Sequence, residues 1–261
     1  PGGLRPAGPG GSGPMSGARE SRTLSLAWVG LANLASLAAN LYLIGFLADA
    51  VVPRTVDAGP AAPPGEAALI DLGLIALFGL QHSVMARKAF KERWTRIVPE
   101  HLERATYVLV SSLALGLLFW LWRPIPIDVW SLSGPWAVAA WALFGSGLAI
   151  TAAATLAIDP DDFAGLRQVR LHFSKETYEP PGFQTPGLYR YVRHPIYLGL
   201  LLVLWSTPRM TVGHLLFAAA ATAYVLVGAR FEERDLLRRF GEDYARYRER
   251  VPMLIPGTKR R

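Results

Sequence analysis

The chain contains no cysteine. That excludes a disulfide framework, a thiolate metal site and a cysteine nucleophile, so any sulfur chemistry must belong to a ligand. Charge is scarce too: 18% of the 261 residues are Asp, Glu, Lys or Arg, against about 25% in an ordinary soluble domain. No metal site is expected. What is plentiful is apolar side chain, 51% of the residues, gathered into long blocks. The formal charge of +7 would suggest nucleic acid in a soluble protein, but in a membrane protein it is first a topology signal.

A hydrocarbon core of about 30 Å needs roughly 20 mostly apolar helical residues. Nothing is charged between Arg22 and Asp49. The block Ala67 to Ala86 holds one acid, Asp71, and ends in Gln81, His82 and Ser83. A third block runs from Ala105 to Trp122, and a fourth lies within Val129 to Ile158. After Pro195 two apolar segments, about Ile196 to Thr207 and Thr211 to Ala229, read as a tight helical hairpin. Its first arm is short for a full span, so it starts within the interface or crosses only partway. Of the 27 Lys and Arg residues, 24 fall in alternate segments on one side. The positive-inside rule makes that side cytoplasmic, with both termini inside. The expected fold is therefore all-α: a polytopic membrane bundle of five to six apolar helices, with a C-terminal helical hairpin and a cytoplasmic amphipathic tail helix. No nucleic-acid partner is expected, the bilayer being the partner, and the oligomeric state is not legible.

Residues 1–22 read as a disordered N-terminus. Residues 1–14 precede Met15 and cannot form a core, as an expression remnant or a start assigned too early would not. The first block is too long for a signal-peptide core and reads as a signal anchor. The chain then divides into a four-span part, 23–158, and a part expected to bind cofactor, 159–261.

Polar residues gather on the basic side. Gln81, His82 and Ser83 lie at the cytoplasmic end of the second span. The loop from Asp159 ends in GLYRYVRHPIYLG, Gly187 to Gly199, which runs into the hairpin, and the tail from Gly228 carries Glu232 and Glu233. Two charged motifs flanking one hairpin must lie close together. Each piece also has a purely structural reading. Arg193 and Pro195 suit an interfacial anchor, and Glu232 and Glu233 suit solvated charges paired with Arg230 or Arg234. Tyr244 and Tyr247 suit an apolar face lying on the membrane, and His82 suits a satisfied interhelical group. Asp71 needs a partner or water that the sequence does not name, and the roles of His101 and His214 stay open.

In order along the chain come R-H-P-x-Y-x-G (Arg193, His194, Pro195, Tyr197, Gly199), an apolar hairpin, E-E (Glu232, Glu233), F-G-x-x-Y-x-x-Y (Phe240, Gly241, Tyr244, Tyr247) and V-P (Val251, Pro252). This order resembles the isoprenylcysteine carboxyl methyltransferase superfamily of integral membrane methyltransferases. The N-terminal half, with QHSVMAR (Gln81 to Arg87), the segment Trp94 to Tyr107, FWLWRPIP (Phe119 to Pro126), FAGLRQV (Phe163 to Val169) and TVGHLLFA (Thr211 to Ala218), is similar to the bacterial methanethiol S-methyltransferases. NnrU-like relatives share parts of it.

The resemblance implies an inner-membrane enzyme that makes dimethyl sulfide from methanethiol, with S-adenosylmethionine as methyl donor. It also implies a cofactor pocket on the cytoplasmic side, walled by the hairpin and covered by the C-terminal segment. Tyr189, His194, Pro195, Ile196, Tyr197 and Glu232 fall where the family contacts the cofactor, and Phe183 and Gln184 match a less regular stretch. The family's Arg before the Glu pair has no counterpart at matching spacing, Arg230 being the nearest. The residue types suit the ligand: a carboxylate for hydroxyls or an ammonium, a His donor, and aromatic faces for adenine or a sulfonium. A thiol reacts better as thiolate, so a proton acceptor is expected, and His82 is the candidate, with Gln81 or a water as alternatives. Two other functions remain open: carboxyl methylation of a lipidated or apolar substrate, and a non-catalytic NnrU-like role in respiratory-complex assembly or transport.

Overall fold

A computed structural model describes residues 21–177 and 182–258; the expectations for residues 1–20 lie outside it. In chain order the elements are α1 (Arg22–Leu47), α2 (Pro64–Ala86), α3 (Lys88–Trp94), α4 (Glu100–Leu121), β1 (Asp128–Ser131), α5 (Gly134–Leu156), α6 (Pro160–Ala164) and α7 (Leu166–Ser174). A 3-10 turn (Gly187–Arg190) then leads to α8 (Pro195–Trp205), β2 (Arg209–Thr211), α9 (Val212–Phe240) and α10 (Glu242–Arg250). Five helices, α1, α2, α4, α5 and α9, are long and apolar enough to cross a membrane. Their outward faces carry exposed Leu, Val and Trp side chains such as Leu34, Leu80, Trp136 and Val138. The protein is an all-α polytopic membrane bundle.

The helices begin and end for local reasons. Pro64 and Pro195 open α2 and α8, where a missing N–H costs nothing. Gly241, at φ +52°, stops α9 in a conformation that other residues adopt only with strain. The short hairpin arm is α8, 11 residues and so about 16 Å long. It packs along α5 with almost no gap, because a Cβ on Gly199 would stand 2.5 Å from the carbonyl oxygen of Gly147. Small residues at that crossing let the two backbones meet.

Three features differ from the sequence expectation. The second hairpin arm does not stop near Ala229 but continues as α9 to Phe240, since Glu, Arg and Leu favour helix and no breaker comes before Gly241. The hairpin tip is not a bare turn: β2 pairs antiparallel with β1. The tail helix α10 does not rest its tyrosines on the membrane, for Tyr244 and Tyr247 are both buried.

The two ends of the bundle are unlike. At one end the loops after α1, α4 and α8 meet over an apolar core of Phe46, Phe119, Trp122 and Phe217. Here the indole N–H of Trp122 donates to the Val56 carbonyl at 3.0 Å. Asp71, fully buried, finds its partner at this end: it accepts from the Arg123 backbone N–H at 2.9 Å. His214 is structural, its Nε2–H donating 3.0 Å to the Leu204 carbonyl and so tying α9 to α8. The other end, here called the basic end, carries α3, α6, α7, the 3-10 turn, the extension of α9, and α10.

Candidate functional site

At the basic end, His194 caps α8 and Pro195 is that helix's first residue, buried. The two side chains before Pro195 turn toward the extension of α9. Arg193 Nε donates to Glu233 Oε1 at 2.7 Å, and both side chains are nearly buried. The imidazole of His194 lies 3.2 Å from the same oxygen through Nε2. A carboxylate only accepts, so Nε2 carries the proton and Nδ1 is left facing Glu232, 3.7 Å from its Oε2. Glu233 is thus used up by Arg193 and His194, not by Arg230 or Arg234.

Glu232 is in a different condition. Its side chain is 47% exposed, and it accepts one hydroxyl, from Tyr197 at 2.8 Å. Tyr197 stacks on His194 with centroids 5.1 Å apart and planes 12° from parallel. The phenol of Tyr189 is pushed up to about 12, by burial first and then by the charge of Glu232. Tyr189, His194, Tyr197 and Glu232 therefore converge, while Pro195, buried, and Ile196, half-buried, form the first turn of α8 beside His194.

The C-terminal segment is bolted over this group by backbone bonds. The N–H groups of Arg193 and His194 donate to the carbonyls of Pro252 (2.9 Å) and Met253 (3.1 Å). Arg193 Nη1 donates to the carbonyls of Arg248 (3.1 Å) and Val251 (2.6 Å). Tyr247 donates 2.5 Å to the Tyr189 carbonyl. Phe183 belongs to this cover rather than to the Glu232 group: its ring packs on Phe240, Tyr244 and Tyr247. Burial and the neighbouring carboxylate of Glu233 raise the Tyr244 phenol to about 12, and burial also raises that of Tyr247. Both stay neutral as packing groups. Gln184 is exposed.

His82 and Gln81 lie in a second cluster, where α2, α4 and α9 meet. The Tyr107 hydroxyl is 2.8 Å from His82 Nε2 and 3.1 Å from Nδ1, and the Ser111 hydroxyl is 3.3 Å from Nδ1. Gln81 Nε2 donates to Ser111 Oγ at 3.3 Å and touches Met85 Sδ at 3.1 Å. Ser83 pairs with the Tyr224 hydroxyl at 3.1 Å. The clusters adjoin, because the Tyr197 phenol is an electrostatic neighbour of both Tyr107 and Tyr224. Sequence reasoning missed Tyr107, Ser111 and Tyr224; the readable signal was a hydroxyl inside an apolar span, which needs a partner there.

A cleft of about 640 Å³ opens beside these clusters, lined by Lys91, Glu103, Arg104, His172 and Glu176 among others. It does not contain His194 or Glu232. It adjoins the His82 cluster through Arg104, whose guanidinium lies 5.3 Å from the centroid of the Tyr107 ring. Among the described residues no group of three or more His, Cys, Asp or Glu side chains could hold a metal ion.

Comparison with known proteins is decisive about kinship. The model of the family described as NnrU protein matches residues 71–232, a stretch that runs from Asp71 to Glu232. A Mycobacterium tuberculosis protein named methanethiol S-methyltransferase is 49% identical over 92% of this chain and 98% of its own length. Methanethiol S-methyltransferase 2 of Bradyrhizobium diazoefficiens is 52% identical over 83% of each chain. The Crocosphaera subtropica protein of the first name is 45% identical over 93% of this chain and 95% of its own. The chain belongs to the NnrU family, among the methanethiol S-methyltransferases. No solved structure matches. The NnrU match holds both clusters, His82 with Tyr107 and Tyr224, and His194 with Tyr197 and Glu232, while the cover from Gly241 onward lies beyond it.

Proposed function

We propose that this chain is an S-adenosylmethionine-dependent methyltransferase of a bacterial inner membrane that converts methanethiol to dimethyl sulfide, with its basic end and both termini in the cytoplasm. The names of the relatives supply the acceptor. The observation that carries the reading is Glu232: a half-exposed carboxylate that accepts one hydroxyl, from Tyr197, and lies 3.7 Å from the buried imidazole of His194. It matches what the donor presents. An ammonium or ribose hydroxyls suit Glu232, and adenine or a sulfonium suits the faces of Tyr189 and Tyr197, where a cation-π contact is worth roughly 0.5 to 2 kcal/mol. Room exists as well, for a Cβ on Gly228, one turn before Glu232, would meet nothing within 4 Å.

When bound, S-adenosylmethionine supplies a methyl group on a sulfonium, open to in-line attack by the acceptor sulfur. The residues of the chain have the remaining work. Glu232, Tyr189 and Tyr197 orient, His194 is fixed by Glu233, and the cover from Arg248 to Met253 keeps bulk water from the reacting atoms. The thiol proton passes to the Tyr107 hydroxyl, which hands its own to His82 Nε2. With no cysteine in the chain, the methyl goes straight to the substrate. The charged lining of the adjoining cleft gives no support to a prenyl chain as substrate.

Membranes holding the protein, given methanethiol and S-adenosylmethionine, should release dimethyl sulfide into the headspace, and omission of either should stop it. Product no greater than from control membranes would sink the proposal. Cytoplasmic placement is checked separately with a reporter fused after Thr258, whose activity outside the inner membrane would overturn it.

A further inference from the structure

One element of the second cluster has no task in the scheme above. Tyr224 stands on α9 eight residues before Glu232, and Gly228 is midway. Steps of four keep all three on one face of the helix, with Tyr224 about 12 Å along the axis from Glu232. That face therefore reads as a wall, a gap and a carboxylate. The wall is rigidly seated. A Cβ on Gly79 would stand 3.1 Å from Cδ2 and Cε2 of the Tyr224 ring, so the ring lies flat against the α2 backbone. Its hydroxyl is held by Ser83 at 3.1 Å. Phe78 and His82 each meet it edge-on with centroids 6.5 Å away, and Phe78 stacks on His82 at 5.5 Å.

The gap has the opposite character. Gly228 is half-buried yet has open space where a Cβ would be. On one side of it is the carboxylate assigned to the methyl donor, and on the other is His82 with Tyr107, assigned to the thiol proton. An acceptor placed between them has its sulfur within reach of both the donor group at Glu232 and the Tyr107 hydroxyl, which leaves its carbon chain the space along this face toward the Tyr224 ring. A ring braced by backbone on one side and by a hydrogen bond at its tip cannot swing away to admit more chain.

We propose that Tyr224 sets the acceptor size, its ring closing the end of the thiol space so that a one-carbon thiol fits and each added methylene meets the ring. This rests on the thiol methyltransferase reading. Discrimination by a wall of this kind is worth about 10- to 200-fold per methylene.

The test is a competition in one vessel. Wild-type membranes and the Tyr224→Ala, Tyr224→Leu and Tyr224→Phe variants receive S-adenosylmethionine with methanethiol and 1-propanethiol together, and the two methyl sulfides are measured in the headspace. The ratio of products is independent of how much protein folded. We expect the propanethiol-to-methanethiol ratio to rise at least about tenfold in Tyr224→Ala and less in Tyr224→Leu, which keeps more bulk in the bundle. Tyr224→Phe, which keeps the ring and loses the bond to Ser83, should stay within about twofold of wild type. An unmoved ratio in both Ala and Leu variants that still make dimethyl sulfide overturns the inference alone, as does an equal rise in Tyr224→Phe. Absence of any methylated thiol from the wild type overturns the underlying reading instead, and this inference with it.

Discussion

Each end of the bundle gathers carboxylates around an arginine, and the two clusters are built differently. At the apolar-core end, Arg209 reaches Asp128 at 2.7 Å, Asp57 at 3.4 Å and Asp49 at 3.9 Å. Asp57 also accepts from the Thr211 hydroxyl, and Asp49 from that of Thr55. Three loops are clamped, and every acid has a donor besides Arg209 or a direct bond to it. At the basic end, Arg193 and His194 satisfy Glu233 in the same way, yet the adjacent Glu232 is left with a single hydroxyl and half-exposed. The first cluster closes on itself, whereas the one proposed to bind the methyl donor keeps one charge in reserve. That distinction can be broken by substitution on either side.

The largest effect is expected at Arg193. Its side chain is nearly buried and binds Glu233 together with two carbonyls of the cover. Arg193→Ala leaves a carboxylate buried without its cation, a loss of about 3 to 5 kcal/mol. The melting temperature in detergent should fall by about 10 °C. A fall of less than a degree or two would mean that the pair is not the bolt described here.

Glu232→Gln should do the reverse, costing binding and not stability. A charge-assisted bond lost to the ligand is worth about 1.5 to 3 kcal/mol, so the affinity for S-adenosylmethionine should weaken about 10- to 150-fold. Melting should shift by no more than about 2 °C, as for an exposed group. Unchanged affinity in calorimetry would remove Glu232 from the site and cancel the contrast with Glu233.

How much of this was legible beforehand follows from the kind of interaction involved. The spans were readable because α1, α2, α4 and α5 each hold a long apolar run, broken by no charge but Asp71, whose length the bilayer dictates. The nearness of His194 to the Glu pair was readable because a hairpin returns the chain to its starting level. Which glutamate stays spare was not. Glu232 and Glu233 are adjacent, and about 100° of helical rotation decides that Glu233 faces Arg193 while Glu232 faces Tyr197. Tyr107 and Tyr224 were readable only as hydroxyls in need of a partner: aromatic residues within apolar spans look like core until the neighbouring helix shows what the hydroxyl meets. The continuation of α9 past Ala229 was hidden by its charge, which marks the membrane's edge and not the helix's end.

Tyr107→Phe sharpens the contrast at the second cluster. Removing the hydroxyl 2.8 Å from His82 Nε2 should lower kcat about tenfold, a modest part of what a proton acceptor contributes. The deficit should narrow as pH rises, because the thiol then supplies its own thiolate. A deficit that stays constant with pH would make the hydroxyl a packing group. Across the bundle, Arg209→Ala should leave dimethyl sulfide formation unchanged. It should cost only about 1 kcal/mol, because the arginine is 44% exposed and water screens its pairs. Lost activity there would mean that the clamp is coupled to the site.

The smallest effect tests the clamp from its acidic side. Burial holds the Asp57 carboxyl above the usual carboxylate range, offset only in part by the Thr211 hydroxyl and Arg209 and reinforced by the charges of Asp49 and Asp128. Between the ordinary value near 4 and its raised folded value, the folded protein keeps a proton that the unfolded chain has released. Stability from this group is therefore fully present below the ordinary value and is lost as pH rises through the folded one. Asp57→Asn can still accept from Thr211 but cannot titrate. Relative to the variant, the wild type should melt higher at acidic pH, and its advantage should shrink as pH rises and then level off. A difference between the two that does not change with pH would show that Asp57 is ionised as readily in the fold as out of it, and one that grows toward neutrality would show that the clamp favours the charged carboxylate over water, against the burial described here.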